Sequence, residues 1–384
     1  MRIVYVIGTS TGGVGTHVRA LARDVAAAGH EVGVVGPAAT DEQFGFSALP
    51  GVRFAALDVG TGVGPRDTGL VTALRRILRR FGPDVVHAHG FRAGLLALLA
   101  TRLLRPRPRF IVSLHNQAAG TGLRGRIETG IERLLARGAD VTLAASTDLV
   151  IRAHDLGARD ARFAPAAAPP VREVSTAEAT ATREALAAEY GFPADAAIVL
   201  AVGRVAPQKN YAMLVRALAR LGKHSGDLVV LVAGAADETV LAEIRAQYAT
   251  AATASALPAL HFLGPRDDIA ELIAAADISV LTSRWEARAL VLQEALLSGQ
   301  AIIATATGGT PELVGDAGIL IASDDDAALA EAIGDLAADP GRRTELGDRA
   351  RARGAELPDE AAVAAEILAV YAEAPVAPGR LEGN

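Results

Sequence analysis

Glu286 and Glu294 lie eight positions apart, a little over two helical turns. That spacing puts two carboxylates near one face of a helix, and residues 286–297 read as that helix. Between the acids stand Ala287, Arg288, Ala289 and Leu290, small residues alternating with large ones. Free amides at a helix start bind anions, phosphate above all, and small side chains let the anion approach. The second carboxylate, two turns deeper, suits a diol such as a ribose. The same spacing also fits an amphipathic helix carrying two solvated glutamates.

The surrounding chain reads as one parallel crossover unit. A buried strand (278–281) precedes the helix. Gly299 ends it, and a second apolar strand (301–304) leads to Gly308-Gly309 and a further helix. Thr310 suits the cap of that helix and Pro311 its first turn. A second cationic turn lies upstream, where strand 197–202 runs into Gly203-Arg204-Val205-Ala206-Pro207-Gln208-Lys209-Asn210 and then helix 211–221. Lys209 is one of only two lysines against 36 arginines. A compact ammonium at that point suits a diphosphate. Two surface cations after a strand is the plainer alternative.

The first half offers histidines and a glycine loop. Strand 2–8 runs through Gly8–Gly15 into a helix reaching about Ala28. A dinucleotide site is disfavoured, because the glycines do not fit G-x-G-x-x-G and the second strand ends at Gly36-Pro37 without an acid for a ribose. His87 and His89 share one face of strand 84–89, but no third ligand is near in sequence, which argues against a metal. His115 ends strand 109–114, where ligands of parallel sheets bind. A packed or solvated histidine fits as well. Asp324-Asp325-Asp326 precedes a helix and reads as capping, not as a metal motif.

The order Ser283-Arg284-Trp285-Glu286, seven residues, Glu294-Ala295, Gly299, an apolar strand and Thr307-Gly308-Gly309-Thr310-Pro311-Glu312 resembles the signature of glycosyltransferase family 4. Gly203-Arg204-x4-Lys209-Asn210 and Gly12-Gly13-Val14 with His17 are similar to further parts of that pattern. The family comprises retaining sugar-nucleotide transferases. The resemblance implies an α/β GT-B architecture of two Rossmann-like domains whose parallel sheets face a shared cleft. It implies that Arg204, Lys209 and the backbone of Arg288, Ala289 and Leu290 hold the donor's diphosphate. Glu294 would hold the ribose and Glu286 the sugar, with His115 beside the transferred sugar. The loop at Gly13 would face the diphosphate from the other side, and the nucleobase would lie near Leu263–Gly264. No cofactor or metal is required, because the cations neutralise the leaving group. Where relatives carry Gly-aromatic-Gly, this chain has Ala287-Arg288-Ala289, and it lacks their Asn-Gly-Val-Asp-like turn near the linker.

The 384 residues suffice for two domains, and 51% hydrophobic residues can build both cores. The Pro/Ala run at 164–170, followed by a polar stretch to about 181, marks the boundary. The expected division is 1–168 for the acceptor, 169–358 for the nucleotide sugar, 359–374 as a helix crossing back, and 375–384 as a flexible tail. No cysteine is present, which excludes disulfides and thiolate chemistry. The start reads as a strand and not as a signal peptide, and the apolar run 93–104 is too short to span a bilayer. Both suit a cytoplasmic protein. Residues 1–172 hold 22 arginines against 13 acids, about +9, and the rest holds 16 basic against 31 acidic residues, about −15. A basic first half suggests an anionic partner. With aromatics at 4%, nucleic acid is disfavoured. Helix 68–80 ends in an apolar stripe with four arginines, which fits an ordinary surface helix or one resting on the anionic inner face of a membrane. The overall expectation is transfer of a sugar from a UDP- or GDP-linked donor to a glycan, lipid-linked or small-molecule acceptor. The competitors are a phosphorylase or epimerase on the same fold and an inactive membrane-associated scaffold.

Overall fold

The computed structural model describes residues 1–10, 12–60, 67–117, 122–222 and 228–373. The chain divides into two units, Met1–Pro169 with Pro358–Asn384, and Pro170–Leu357. The expected tail at 375–384 lies outside the described residues.

The first unit carries strands β1 (Arg2–Ile7), β2 (Glu31–Gly36), β3 (Val52–Ala56), β4 (Val85–His89), β5 (Arg109–Leu114), β6 (Val141–Ala144) and β7 (Ala161–Phe163). They form one parallel sheet in the order β3-β2-β1-β4-β5-β6-β7. β4, β5 and β6 are buried along their whole length, so both faces of the sheet need cover. Helices α1 (Gly13–Ala27), α2 (Ala38–Phe44), α3 (Asp67–Phe81), α4 (Phe91–Arg102), α5 (Gly122–Gly138) and α6 (Thr147–Asp155) supply it. The apolar run at 93–104 becomes α4, with Leu96, Ala97 and Leu98 fully buried. The apolar stripe of α3 is also used: Leu74 and Leu78 are fully buried and the helix packs against α4. The strand order reverses between β1 and β4, the switch point at which such sheets bind ligands.

The second unit begins with α7 (Thr176–Tyr190), inside the stretch expected to be linker. Ser175 and Glu178 explain the helix. The Ser175 hydroxyl accepts from the Glu178 amide, and the Glu178 carboxylate accepts from the Ser175 amide at 2.8 Å. Strands β8 (Ala197–Val202), β9 (Leu228–Ala233), β10 (Ala259–Gly264), β11 (Ile278–Leu281), β12 (Ala301–Thr305) and β13 (Ile319–Ile321) form a parallel sheet ordered β10-β9-β8-β11-β12-β13. Its helices are α8 (Tyr211–Leu221), α9 (Glu238–Ala254), α10 (Ile269–Ala275), α11 (Leu290–Leu297), α12 (Thr310–Val314), α13 (Asp326–Ala338) and α14 (Pro340–Glu356). The switch point falls between β8 and β11. Each unit is thus a Rossmann-like domain.

Two local expectations need correction. The helix expected over 286–297 starts only at Leu290, so Glu286 lies in the preceding loop. Its carbonyl accepts from the Gly309 amide at 2.8 Å and is not available to a helix. Thr310 does not cap α12. Gly309 holds the cap position and the Thr310 hydroxyl is buried without a partner.

The last helix, α15 (Glu360–Ala372), belongs to the first unit. Val363, Ile367 and Tyr371 join Ile3, Tyr5, Val18 and Leu21 in one core. Burying each such side chain contributes about 1.5–3 kcal/mol before entropic costs, which fixes α15 against α1. The Tyr371 hydroxyl reaches His87 Nδ1 at 2.6 Å.

Candidate functional site

In the second domain, two loops meet at the carboxyl ends of β8 and β11. The first, 203–210, ends in a short 3-10 turn at Pro207–Lys209. The second, 282–289, runs from β11 to α11. Side chains and backbone stitch them together. Arg284 N donates to Gln208 O at 2.9 Å, Gln208 Nε2 to Trp285 O at 2.9 Å, and the Thr282 hydroxyl to Lys209 O at 2.7 Å. Lys209 Nζ donates to Glu286 Oε1 at 2.6 Å, and the Ser283 hydroxyl to the same oxygen at 2.7 Å.

Two glycines make this geometry possible. A Cβ on Gly203 would lie 2.9 Å from Lys209 Cε, so the lysine stem crosses where no side chain fits. Gly308 has φ +55°, and a Cβ there would lie 2.0 Å from Glu286 O. The Thr-Gly-Gly-Thr run is thereby explained as a backbone packed directly on the Glu286 loop.

The same two loops and α11 also carry charged groups that are weakly compensated. Glu294, on α11, makes no hydrogen bond or ion pair among the described residues, and burial pushes its carboxyl up to about 7. Arg288 is half-buried, with Nε buried and unpartnered and one long bond from Nη2 to Gln293 Oε1 at 3.4 Å. Burial lowers its guanidinium to about 10, which leaves it charged at neutral pH. Arg204 is exposed at the start of the first loop, with no ion pair among the described residues. α11 begins after Ala289 with no side-chain cap, so the amides of Leu290 and Val291 have no helical acceptor. Uncompensated groups cost stability and mark sites built for a ligand.

In the first domain, Gly13 opens α1 at an exposed amino terminus without a side-chain cap. His115 follows β5. It does not stand alone: His17 from α1 and His87 and His89 from β4 gather with it. His89 Nδ1 and His115 Nε2 share a hydrogen bond at 3.1 Å, and their rings stack at 11°. His17 lies edge-on to both, with ring centroids 5.7 Å away. His87 is held by Tyr371 and, through Nε2, by Ser113 Oγ at 2.7 Å. Burial lowers every member: His17 to about 3, His115 to about 4, and His87 and His89 well below the ordinary value. All four rings are neutral at pH 7. The third and fourth histidines missing near His87 and His89 in sequence are therefore supplied in space. Stacked rings cannot aim their lone pairs at one ion, and no metal-holding group occurs among the described residues.

Sequence reasoning missed Ser283 and the histidine cluster. Ser283-x-x-Glu286 has the spacing of a capping box, and that signal was available. The cluster depends on β4 lying between β1 and β5, which no local pattern reveals.

Two Rossmann-like domains of parallel sheet in one chain make up the GT-B fold. A family described as "Glycosyl transferases group 1" matches residues 182–353, and one described as "Glycosyl transferase 4-like domain" matches residues 12–169. The chain is 31% identical over 316 residues to alpha-maltose-1-phosphate synthase of Mycolicibacterium smegmatis, covering 75% of this chain and 78% of that one. It is 26% identical over 305 residues to N-acetyl-alpha-D-glucosaminyl L-malate synthase of Bacillus anthracis, covering 75% and 74%. In structure it resembles Anabaena HepE in complex with UDP, with TM-score 0.81, 20% identity and coverage of 96% and 99%. The chain belongs to glycosyltransferase family 4.

Proposed function

We propose that the protein moves a sugar from a nucleotide diphosphate sugar, UDP- or GDP-linked, to a glycan, lipid-linked or small-molecule acceptor, with retention at the anomeric carbon. The observation that carries this reading is a set of weakly compensated groups in the second domain: a half-buried carboxyl at Glu294 without a partner among the described residues, Arg288 with one long bond and the charge of Glu312 for company, and Arg204 without an ion pair among the described residues. A nucleoside diphosphate supplies what each lacks. Its ribose diol donates to Glu294, and its phosphates meet Arg204, Arg288, Lys209 and the amides of Ala289 and Leu290. As the bond from the anomeric carbon to the phosphate oxygen breaks, charge grows on the diphosphate, and these groups stabilise it. The cations do the work of a metal, so activity is expected to persist in EDTA. Glu286 accepts from the sugar's hydroxyls while Lys209 and Ser283 hold its carboxylate.

His115 keeps the role that the family resemblance gives it. As a neutral ring it orders a sugar hydroxyl by accepting or donating a hydrogen bond. The Gly13 turn adds amides for the diphosphate. The basic first domain favours an acidic acceptor. The relatives support that choice, since one is named for a sugar phosphate and another for malate.

Thermal shift against UDP-, GDP- and ADP-sugars and the bare nucleotides tests the donor. A ligand at about 100 times its Kd adds roughly 2.7 kcal/mol, several degrees for domains of this size. One responding base is expected. Silence from the whole panel would overturn the donor site. Retention is tested separately by the anomeric configuration of the product, and an inverted product would refute it.

A further inference from the structure

Among the described residues, only two that are not glycine have a positive φ: Asn210 at 52° and Asp324 at 62°. They sit in different loops, Asn210 before α8 and Asp324 before α13. Side chains in the left-handed region are strained and persist only where neighbours over-determine them. Here the two strained residues hold each other. Asn210 Nδ2 donates to Asp324 Oδ1 at 3.0 Å. Arg284, from the β11–α11 loop, closes a triangle. Its Nη2 donates to Asn210 Oδ1 at 3.2 Å and its Nη1 to Asp324 Oδ2 at 3.2 Å.

The aspartate triplet is divided among three tasks. Asp325 caps α13 by accepting from the Ala328 amide at 2.9 Å. Asp326 pairs with Arg216 and Arg220 on α8. Asp324 turns to the loops and also accepts from Arg216 Nη2 at 3.3 Å. The Asn210 bond and the charges of Arg284 and Arg216 hold its carboxyl below the usual range.

Two corners of this triangle adjoin site residues. Asn210 follows Lys209, and Arg284 stands two residues before Glu286. The left-handed turn at Asn210 ends the loop abruptly and starts α8 at the next residue, which fixes the direction in which Lys209 leaves the backbone. We propose that Asn210, Arg284 and Asp324 are positioning residues, a clamp that sets Lys209 against Glu286 and so prepares both for the donor. The consequence for catalysis rests on the donor reading above. The clamp itself does not.

A purely structural role predicts something different. The Arg284 and Asp324 side chains are 55% and 48% exposed, and exposed ion pairs add little to global stability. Their loss should therefore move Tm little while freeing Lys209. The two lysines, Lys209 and Lys223, make this measurable. Acylation of the intact protein with an amine-reactive ester, read by mass spectrometry, gives the rate at Lys209 relative to Lys223. Arg284→Ala and Asp324→Ala are each expected to speed labelling of Lys209 about tenfold, the weight of roughly one hydrogen bond or ion pair. Asn210→Gly keeps the left-handed turn but loses both clamp bonds and should speed labelling as Arg284→Ala does, whereas Asn210→Ala, which strains the turn as well, should speed it further. Asp324→Asn, which keeps acceptor oxygen without charge, should rescue in part and serves if Asp324→Ala folds poorly. Unchanged labelling of Lys209 in Arg284→Ala and Asp324→Asn, with Tm intact, would overturn the clamp. Because labelling needs no nucleotide, that failure is separate from a failure of the donor site, which appears only in the ligand panel.

Discussion

The two domains treat their polar groups in opposite ways. At the switch point of the first, four histidines are packed against one another and against Ser113 and Tyr371, all neutral. At the switch point of the second, Glu294 has no partner, Arg288 has one long bond and Arg204 has no ion pair among the described residues. The neutral cluster is largely hydrogen-bonded, with His89 Nε2 its one buried ring nitrogen without a partner among the described residues, and such a cluster keeps most of its geometry without a ligand. A set of unpaired charges waits for one. On the proposed reading, the tight, charge-driven binding of the donor falls to the second domain. That leaves the first domain with a rigid, uncharged wall of rings, suited to hydroxyl groups.

The sharpest way to break this contrast is to remove the charges. Lys209→Ala and Glu294→Ala should each cut donor affinity or kcat/KM by about 10²-fold or more, the scale of losing one preorganised charge-stabilising contact. The two should differ in stability. Lys209→Ala leaves the buried Glu286 carboxylate with only Ser283 and lowers Tm, whereas Glu294→Ala removes an unpaired buried acid and does not. Calorimetric titration with the responding nucleotide, alongside thermal melts, checks both. Unchanged affinity in both variants would sink the donor site.

The next effect is one of sign. Unfolded histidine titrates near 6.5, while the folded cluster is held to about 3 at His17 and about 4 at His115. Below pH 6.5 the unfolded chain takes up protons that the folded rings refuse. The first domain therefore loses stability as the pH falls from about 6.5 towards 4. Glu294 works the other way. Its folded value of about 7 lies above the ordinary 4.5, so the folded state holds the extra proton in between. The second domain loses that contribution as the pH rises through about 7. His261, also lowered by burial, opposes this within the same domain. The useful quantity is thus the difference in Tm between wild type and Glu294→Gln, expected to be larger at pH 8 than at pH 5. Nucleotide affinity should rise with pH through about 7 in the wild type and stay flat in the variant, because the diol needs the charged carboxylate. A difference in Tm that does not change with pH would contradict the buried, unpaired state of Glu294.

How much of this was legible in the sequence follows the same divide. β5, β8 and β11 are apolar runs interrupted only by Arg109, Ser113 and Ser279, and their spans read directly from sequence. Arg204, Lys209, Glu286 and Glu294 stand in a local pattern, and the two loops carrying the first three do meet. The reading failed where a distant contact overrode a local preference. Ala287 and Ala289 favour helix, yet Gly309 takes the Glu286 carbonyl and Lys209 its carboxylate, so the helix waits until Leu290. α7 was hidden for another reason. Its exposed faces give almost no apolar rhythm, with only Leu186 and Ala187 buried, and the capping box at Ser175 was the one clear signal. The histidine cluster could not be read at all. Residues 17, 87, 89 and 115 meet only because β4 lies between β1 and β5 in the sheet.

The smallest expected effect concerns charge outside both sites. With the segment from Pro358 counted in, the first domain carries 22 basic and 18 acidic residues, about +4, and the second 16 and 26, about −10, so the two domains should differ at an anionic surface. On α3, Arg76, Arg79 and Arg80 are exposed, while Leu74 and Leu78 are fully buried. The helix has no free apolar face to insert, and no described helix is long and apolar enough to cross a membrane. Binding to vesicles containing phosphatidylserine would then rest on charge alone, at about 1 kcal/mol per arginine near the surface. It should fade as added salt shortens the screening length below about 8 Å. Arg76→Glu, Arg79→Glu and Arg80→Glu together should abolish co-sedimentation at low salt while leaving nucleotide affinity unchanged. If the wild type does not bind such vesicles at low salt, the membrane drops out of the proposal. The positive charge of the first domain is then left to an acidic acceptor, and a panel of sugar phosphates and dicarboxylates becomes the place to look for it.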